Sequence, residues 1–247
     1  MSDVQYIAIA LQFWQGDATK ALRLARLLAD LEREFRADVG LVFCRRFDVD
    51  MSPELWESTV YCRRRFAVAN LQSQRRATGH PDGCYGLWAG TAEALWDSHC
   101  AGAPFADVFF VEADDCPLRR DWIDFLRAEH AETLTRDKRI TGARVPAGPT
   151  WPAHIHGSLV MRLSCWEDRE SLHTCRPGAA WDCWHGHVLE SECGTSGAVY
   201  WMHDGRNMTP EIFESMGRRH AWLSGMKDDS AFECAQRLLT KEGDATC

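Results

Sequence analysis

The chain has 247 residues, 45% hydrophobic and 11% aromatic, with 28 basic against 36 acidic side chains and a formal net charge of −8. That length supports one sizeable core, and the composition excludes a disordered or fibrous protein. The acidic balance argues against a globally basic nucleic-acid binder while leaving room for a local basic groove. The longest apolar run, Tyr6–Leu11, falls far short of the ~20 residues of a membrane span, so none is expected. The Met-Ser-Asp start has no basic n-region and no long apolar stretch, so no signal peptide is expected and a cytoplasmic location is. The 11 cysteines form no Cys-x-x-Cys pair and are expected to be mostly reduced, small core residues rather than a disulfide framework.

Taken in chain order, Tyr6–Leu11 predicts a buried strand ending in a turn at Gly16-Asp17. Leu24, Leu27, Leu28, Leu31 and Phe35 then fall at helical spacing, predicting a helix over Ala18–Phe35 with Asp17 as its N-cap. Val39–Cys44 reads as a second strand, and Ser52 as the cap of a helix from Pro53 to Phe66. A further helix is expected from about Gly86 to Cys100. Asp107–Val111 is the clearest buried strand and runs directly into Glu112-Ala-Asp-Asp115. A Pro117 turn follows, then a helix carrying Trp122, Phe125 and Leu126 on one face. Beyond it the signal is less regular: strands at Ile155–Arg162 and Gly197–Met202, a helix capped by Thr209 with Pro210 first, and a last helix with a Ser230/Glu233 capping box. Alternating strands and helices imply an α/β fold with a mostly parallel sheet, whose ligands sit beyond the carboxyl ends of the strands. Neither a repeat nor a linker divides the chain, so residues 1–247 are expected to form one domain.

Glu112, Asp114 and Asp115 carry the strongest chemical signal. Three carboxylates after a buried strand repel one another unless a cation offsets them, and a hard divalent ion with oxygen ligands would do so. The competing reading is a solvated turn before the next helix. Arg75 and Arg76 precede a Gly-containing turn, and their guanidinium forks match diphosphate oxygens. An exposed helix end is the alternative. The chain has no Gly-x-Ser-x-Gly, no Gly-x4-Gly-Lys-Ser/Thr loop and no Gly-x-Gly-x-x-Gly after the first strand.

Ala106-Asp-Val-Phe-Phe-Val-Glu-Ala-Asp-Asp-Cys-Pro-Leu118 resembles the strand and DxD motif of GT-A fold nucleotide-sugar glycosyltransferases. Glu112 stands where the first Asp is usual and is one methylene longer, which makes Asp114 the firmer metal ligand. The resemblance implies a GT-A type α/β fold with a mostly parallel central sheet flanked by helices and an irregular C-terminal half. It divides the domain into a nucleotide-sugar-binding half, 1–127, and an acceptor-side half, 128–247. It also implies Mn2+ or Mg2+ and a nucleotide-diphosphate sugar, expected to be a UDP-sugar. On this resemblance the strand end Leu11-Gln12-Phe13-Trp14 lies where the nucleotide base binds, with Gln12, Phe13 and Asp48 contacting the nucleotide; core aromatics for Phe13 and Trp14 and a turn residue for Asp48 are the plain alternatives. Glu112 and Ala113 lie along the donor.

His154-Ile-His-Gly-Ser-Leu-Val-Met-Arg162 resembles the family's His-x-x-Gly-x4-Arg stretch, in which the glycine, here Gly157, admits the donor sugar. His156 and Trp181 then fall on the acceptor side. Ala180-Trp181-Asp182 resembles the segment carrying the acceptor-side acid, which makes Asp182 the general-base candidate of an inverting enzyme; a retaining enzyme would not need it. His203, after Tyr200-Trp-Met, matches the third metal ligand, and Arg206 is placed to neutralise the leaving diphosphate.

The compact layout also resembles small bacteriophage glycosyltransferases that decorate 5-hydroxymethylpyrimidines in DNA. That implies hydroxymethylated DNA as acceptor and the host cytoplasm as location. Arg63-Arg64-Arg65, Arg75-Arg76 and Arg218-Arg219 would supply a basic rim for phosphates, or else solvated helix faces. Two alternatives stand beside this: a bacterial surface-glycan glycosyltransferase, and a non-catalytic zinc-stabilised or sugar-nucleotide-binding module. For the last, Cys175, Cys183, His185, His187, Cys193 and His203 are the zinc candidates, at spacings that match no standard finger.

Overall fold

The structure, a computed structural model, describes residues 6–149, 151–194 and 197–241, and for residues 203, 204 and 241 the backbone alone. Strand and helix alternate through the first half: β1 (Ile7–Phe13), α1 (Ala18–Leu31), β2 (Arg36–Arg45), α2 (Pro53–Cys62), β3 (Phe66–Gln72), α3 (Asp82–Cys100) and β4 (Asp107–Glu112). The short β5 (Cys116–Pro117) leads to α4 (Trp122–Thr135), β6 (Ile140–Val145) and β7 (His154–Arg162). Then come the short helices α5 (Ser164–Asp168), α6 (Trp181–Trp184) and α7 (Gly186–Glu192), with a 3-10 turn at Glu170–His173. β8 (Cys193–Gly194), β9 (Val199–Gly205), α8 (Pro210–Gly217), β10 (Trp222–Met226) and α9 (Ser230–Lys241) complete the chain.

A seven-stranded sheet in the order β3-β2-β1-β4-β7-β6-β8 forms the centre. β3, β2, β1 and β4 are mutually parallel, β7 is antiparallel to β4 and β6, and β8 is parallel to β6. β1 and β4 read as unbroken apolar runs because helices cover both faces of the parallel strands. Ile7, Ile9, Leu11 and Phe13 of β1 share one core with Leu24, Leu27 and Leu28 of α1, while Ala8 and Ala10 share the other with Trp88 of α3. A smaller sheet, β5-β10-β9, stands beside it.

α1 forms on its leucine stripe but stops at Leu31, leaving Phe35 exposed outside it. Asp17 sits at its N-cap position with helical backbone angles and makes no side-chain cap bond. The Ser52 hydroxyl does cap α2, accepting from the Leu55 N–H at 3.2 Å. That helix ends at Cys62, four residues before the expected end, because Phe66 is needed to open β3 beside β2. Thr209 caps α8 as expected, accepting from the Ile212 N–H at 3.4 Å. Ser230 does not form the expected capping box: its hydroxyl accepts from the Met208 N–H at 2.7 Å and donates to Asp228 at 2.5 Å.

Candidate metal and donor site

β4 delivers Glu112 at the carboxyl end of the sheet, and a tight turn follows. The Asp115 N–H bonds the Glu112 carbonyl at 3.2 Å, and the Asp115 Oδ2 accepts the Glu112 N–H at 2.9 Å. From β7, the Ser158 hydroxyl donates to the same Oδ2 at 2.7 Å. Asp115 is 3% exposed, and its Oδ1 is buried with no hydrogen-bond partner. Glu112, Asp114 and Asp115 each present an oxygen, all within 4.8 Å of one another. Burial first, then the charges of Asp115 and Asp114, hold the Glu112 carboxyl well above the usual carboxylate range. Burial and the Asp114 charge push Asp115 up to about 7. The nearest counter-charge is Lys227, which follows β10 and brings its Nζ to 3.3 Å from Asp114 Oδ2. With both side chains partly exposed, that pair contributes no more than about 1 kcal/mol. Hard oxygen donors, mutual repulsion and an unpaired buried oxygen together fit Mn2+ or Mg2+, which Glu112 and Asp114 could hold with Asp115 behind them.

β7, antiparallel to β4, brings three consecutive residues to this end of the sheet. A Cβ on Gly157 would lie 3.0 Å from Glu112 Oε1 and 3.2 Å from Trp181 Cζ2, so glycine leaves both at their present positions, where a larger residue would displace them by a few tenths of an ångström. The His156 Nδ1 accepts the Ser158 N–H at 3.2 Å and lies 3.3 Å from the Ser224 hydroxyl of β10. Burial pulls the His156 imidazole down to about 4, against the opposing charges of Asp182 and Asp114, so the ring is neutral at pH 7. Ser158 anchors Asp115.

Trp181 does not face an open pocket. It stacks on Trp88 of α3 with ring centroids 4.0 Å apart, and it is buried. Asp182, next in α6, accepts the Cys183 N–H at 2.9 Å through Oδ1 and turns Oδ2 to within 3.6 Å of His154 Nε2. Trp184 is exposed, so the two tryptophans do not enclose this carboxylate.

At β1 the strand alternation separates the two residues expected at the nucleotide. Phe13 points into the core under α1 and is buried. Gln12 pairs in register with Glu112, on the opposite face, and its Nε2 is buried without a partner. The exposed neighbour is Trp14, 45% accessible, with the Arg46 guanidinium 5.3 Å from its ring centre. Together with Gly79, His80, Gly83, Cys84 and Leu87 these two line a cavity of about 390 Å3. Desolvation, then the charges of Glu112 and Asp182, push the Cys84 thiol up, although the residue keeps an exposed edge on this wall. Asp48 meets the cavity through Arg46, in a bidentate pair at 2.6 and 2.7 Å.

The remaining expected residues are dispersed. Arg75 is engaged by Glu93, the Tyr85 hydroxyl and the His173 carbonyl, and Arg76 is exposed. Ala113 is buried in the core under α1. Arg206 is exposed after β9. The side chain of His203 lies outside the described residues. The expected zinc set does not converge among the described residues: Cys175 and Cys193 bond nearby backbone carbonyls, and His185 is buried against Tyr85 and Trp88. Trp14, expected beside the base, is exposed rather than a core aromatic, whereas Lys227, Ser158, Ser224 and Arg46 lie at the candidate site without sequence reasoning having singled them out.

No protein-family model matches the chain, and no curated protein matches it. Solved structures do. The glycosyltransferase GlyE of Streptococcus pneumoniae TIGR4 superposes over 96% of this chain with a TM-score of 0.57 at 10% identity. The bifunctional glycosyltransferase WbbM superposes over 96% with a TM-score of 0.54 at 8% identity, and S. aureus TarS over 95% with a TM-score of 0.51 at 11% identity. The chain spans 63%, 50% and 39% of the lengths of these three proteins respectively. The fold is therefore of the GT-A type seen in these glycosyltransferases, a mixed α/β domain with a large central sheet flanked by helices.

Proposed function

We propose that this chain transfers a sugar from a nucleotide-diphosphate sugar, a UDP-sugar in the first instance, to an acceptor hydroxyl with the help of Mn2+ or Mg2+. The observation that carries this reading is the group of three crowded carboxylates at the end of β4, with Gly157 of β7 closely approaching Glu112. Glu112 and Asp114 hold the metal, which supplies charge to stabilise the leaving diphosphate. Trp14 and Arg46 receive the base in the adjoining cavity, with Asp48 orienting the guanidinium. Gln12 offers its unpaired amide to the donor. Lys227 supplies a second positive charge on the diphosphate side. Asp182 accepts the proton of the acceptor hydroxyl as its oxygen bonds the anomeric carbon and the bond to the diphosphate breaks. Neutral His156 donates through Nε2 toward the acceptor.

As acceptor we favour a glycan hydroxyl over hydroxymethylated DNA. Arg63–Arg65 form the turn from α2 into β3, where the Arg65 carbonyl accepts from the Arg36 N–H at the start of β2, at the end of the sheet away from Glu112. Arg64 and Arg63 lie over the rings of Tyr61 and Trp56. Arg218 joins Arg119 and Arg120 along a groove lined by none of the site residues. Such dispersal gives no continuous phosphate track. The test is Mn2+-dependent hydrolysis and transfer from UDP-sugars, comparing the chain with Asp114→Ala. A loss of at least ~100-fold is expected in the variant; undiminished activity overturns the assignment. Labelled sugar offered to hydroxymethylated DNA and to glycan acceptors decides the acceptor, and transfer to DNA alone overturns our preference.

A further inference from the structure

A second group of metal-ligating side chains lies on the acceptor side. His154 opens β7, and α6 packs against that strand, bringing Asp182 and Cys183 to it. A ring nitrogen, a carboxylate oxygen and a thiol sulfur from these three residues all fall within 4.8 Å. We propose that His154, Asp182 and Cys183 form a transition-metal site, suited to Zn2+ and distinct in chemistry from the oxygen-only site at Glu112 and Asp114.

Three observations carry it. First, the His154 Nδ1 lies 2.8 Å from the Pro152 carbonyl oxygen. A carbonyl only accepts, so Nδ1 bears the proton and a neutral ring presents its lone pair at Nε2. A ring N–H fixed on a backbone carbonyl is the outer bond that metal-bound imidazoles keep. Second, that Nε2 faces Asp182 Oδ2 at 3.6 Å, too far for a hydrogen bond and close to the edge of a coordination tetrahedron. The lone pairs of a neutral ring and a carboxylate repel, and a cation between them relieves this. Third, the Cys183 Sγ lies beside the same ring, 3.6 Å from Nδ1 and within the 4.8 Å that gathers one ligand atom of each residue, so a small turn of the thiol about its Cα–Cβ bond brings a nitrogen, an oxygen and a sulfur to one cation. A thiolate ligand selects Zn2+ over Mg2+ or Mn2+. Cys183 is half-buried and His154 buried, so the group is preorganised yet reachable from solvent, with the fourth position left to water.

Zinc at this position would occupy the Asp182 carboxylate, and in so far as the proposed function holds, it would withdraw the base and inhibit transfer. The test uses Co2+ as spectroscopic probe on the metal-stripped full chain, followed by displacement with Zn2+. A thiolate-to-cobalt charge-transfer band is expected, abolished by Zn2+. It should be absent in Cys183→Ser and retained in Asp114→Ala. Zn2+ affinity should fall roughly tenfold or more in Cys183→Ser and in His154→Gln. Melting curves of each variant confirm that it is folded. A missing band in the wild-type chain, or a band unchanged in folded Cys183→Ser, overturns the site. Mn2+-dependent transfer without zinc binding refutes this inference and leaves the function standing. Zinc binding in a chain that never transfers sugar does the reverse.

Discussion

At the scale of single residues, the site is built from groups that disfavour the fold. Glu112 is desolvated beside two other carboxylates, and among the described residues Lys227 is the charge that offsets them. Replacing it removes a repelled charge while keeping the shape. Glu112→Gln is therefore expected to raise the melting temperature of the metal-free chain and to abolish the upward shift that Mn2+ gives the wild type. Thermal scans with and without Mn2+ check both, and a metal-free variant melting below the wild type would contradict the electrostatic account. In the wild type, saturation at 100 times the dissociation constant should stabilise by about 2.7 kcal/mol. Ser158 acts one step further out, through its 2.7 Å bond to Asp115 Oδ2. Ser158→Ala leaves that buried carboxylate with one donor fewer, and Mn2+ affinity should drop about 10–100-fold. Isothermal titration reads this directly.

Among elements, β7 is the one that makes the site. Its antiparallel placement beside β4 lays Gly157 against Glu112, and a methyl there meets Oε1 at 3.0 Å. Glu112 is a flexible side chain, so Gly157→Ala should fold normally, shift that carboxylate by a few tenths of an ångström and weaken Mn2+ about tenfold. A metal affinity equal to wild type would show that the close approach is incidental. Strand visibility in the sequence followed burial. β1 and β4 are covered on both faces and announce themselves as apolar runs, so the acidic end of β4 and its DxD-like character were legible. β3 is an edge strand carrying Asn70 and Gln72, β6 contains Gly142 and an exposed Arg144, and β10 holds Gly225 at φ 89°. None of these has the alternation that predicts a strand. Missing β10 hid Ser224 and Lys227, which reach the site only because β10 pairs with β5 just after the carboxylates. Phe13 and Gln12 could be told apart by alternation alone, whereas the partnership of Ser158 with Asp115 spans 43 residues and leaves no local trace.

At the scale of the whole molecule, the candidate metal site and a buried ion-pair cluster sit at opposite ends of β4. Glu112 closes the carboxyl end; Asp107 opens the other, 1% exposed, and there ties three elements together. It accepts from Arg162 of β7 in a bidentate pair at 2.9 and 3.1 Å, and His130 of α4 lies 3.2 Å away. Despite burial, which alone would raise it, hydrogen bonds from His130 and Arg162 bring the Asp107 carboxyl down to about 2. A carboxyl whose folded value lies below its unfolded value of 3.8 contributes stability that is fully present above the unfolded value. That contribution is lost as pH falls from there through about 2, and it amounts to ~2 kcal/mol. Breaking the buried pair outright should cost more, about 3 kcal/mol for Asp107→Asn, since Arg162 and His130 are then left without their carboxylate. Urea denaturation at neutral pH measures this loss, and a series taken down through the acid range should show the variant with the shallower pH dependence. Mn2+ binding to the folded variant should match the wild type, because the pair lies a full strand length from the metal site. A variant as stable as the wild type, or one that loses Mn2+ affinity while folded, would contradict this division between the two ends of the strand.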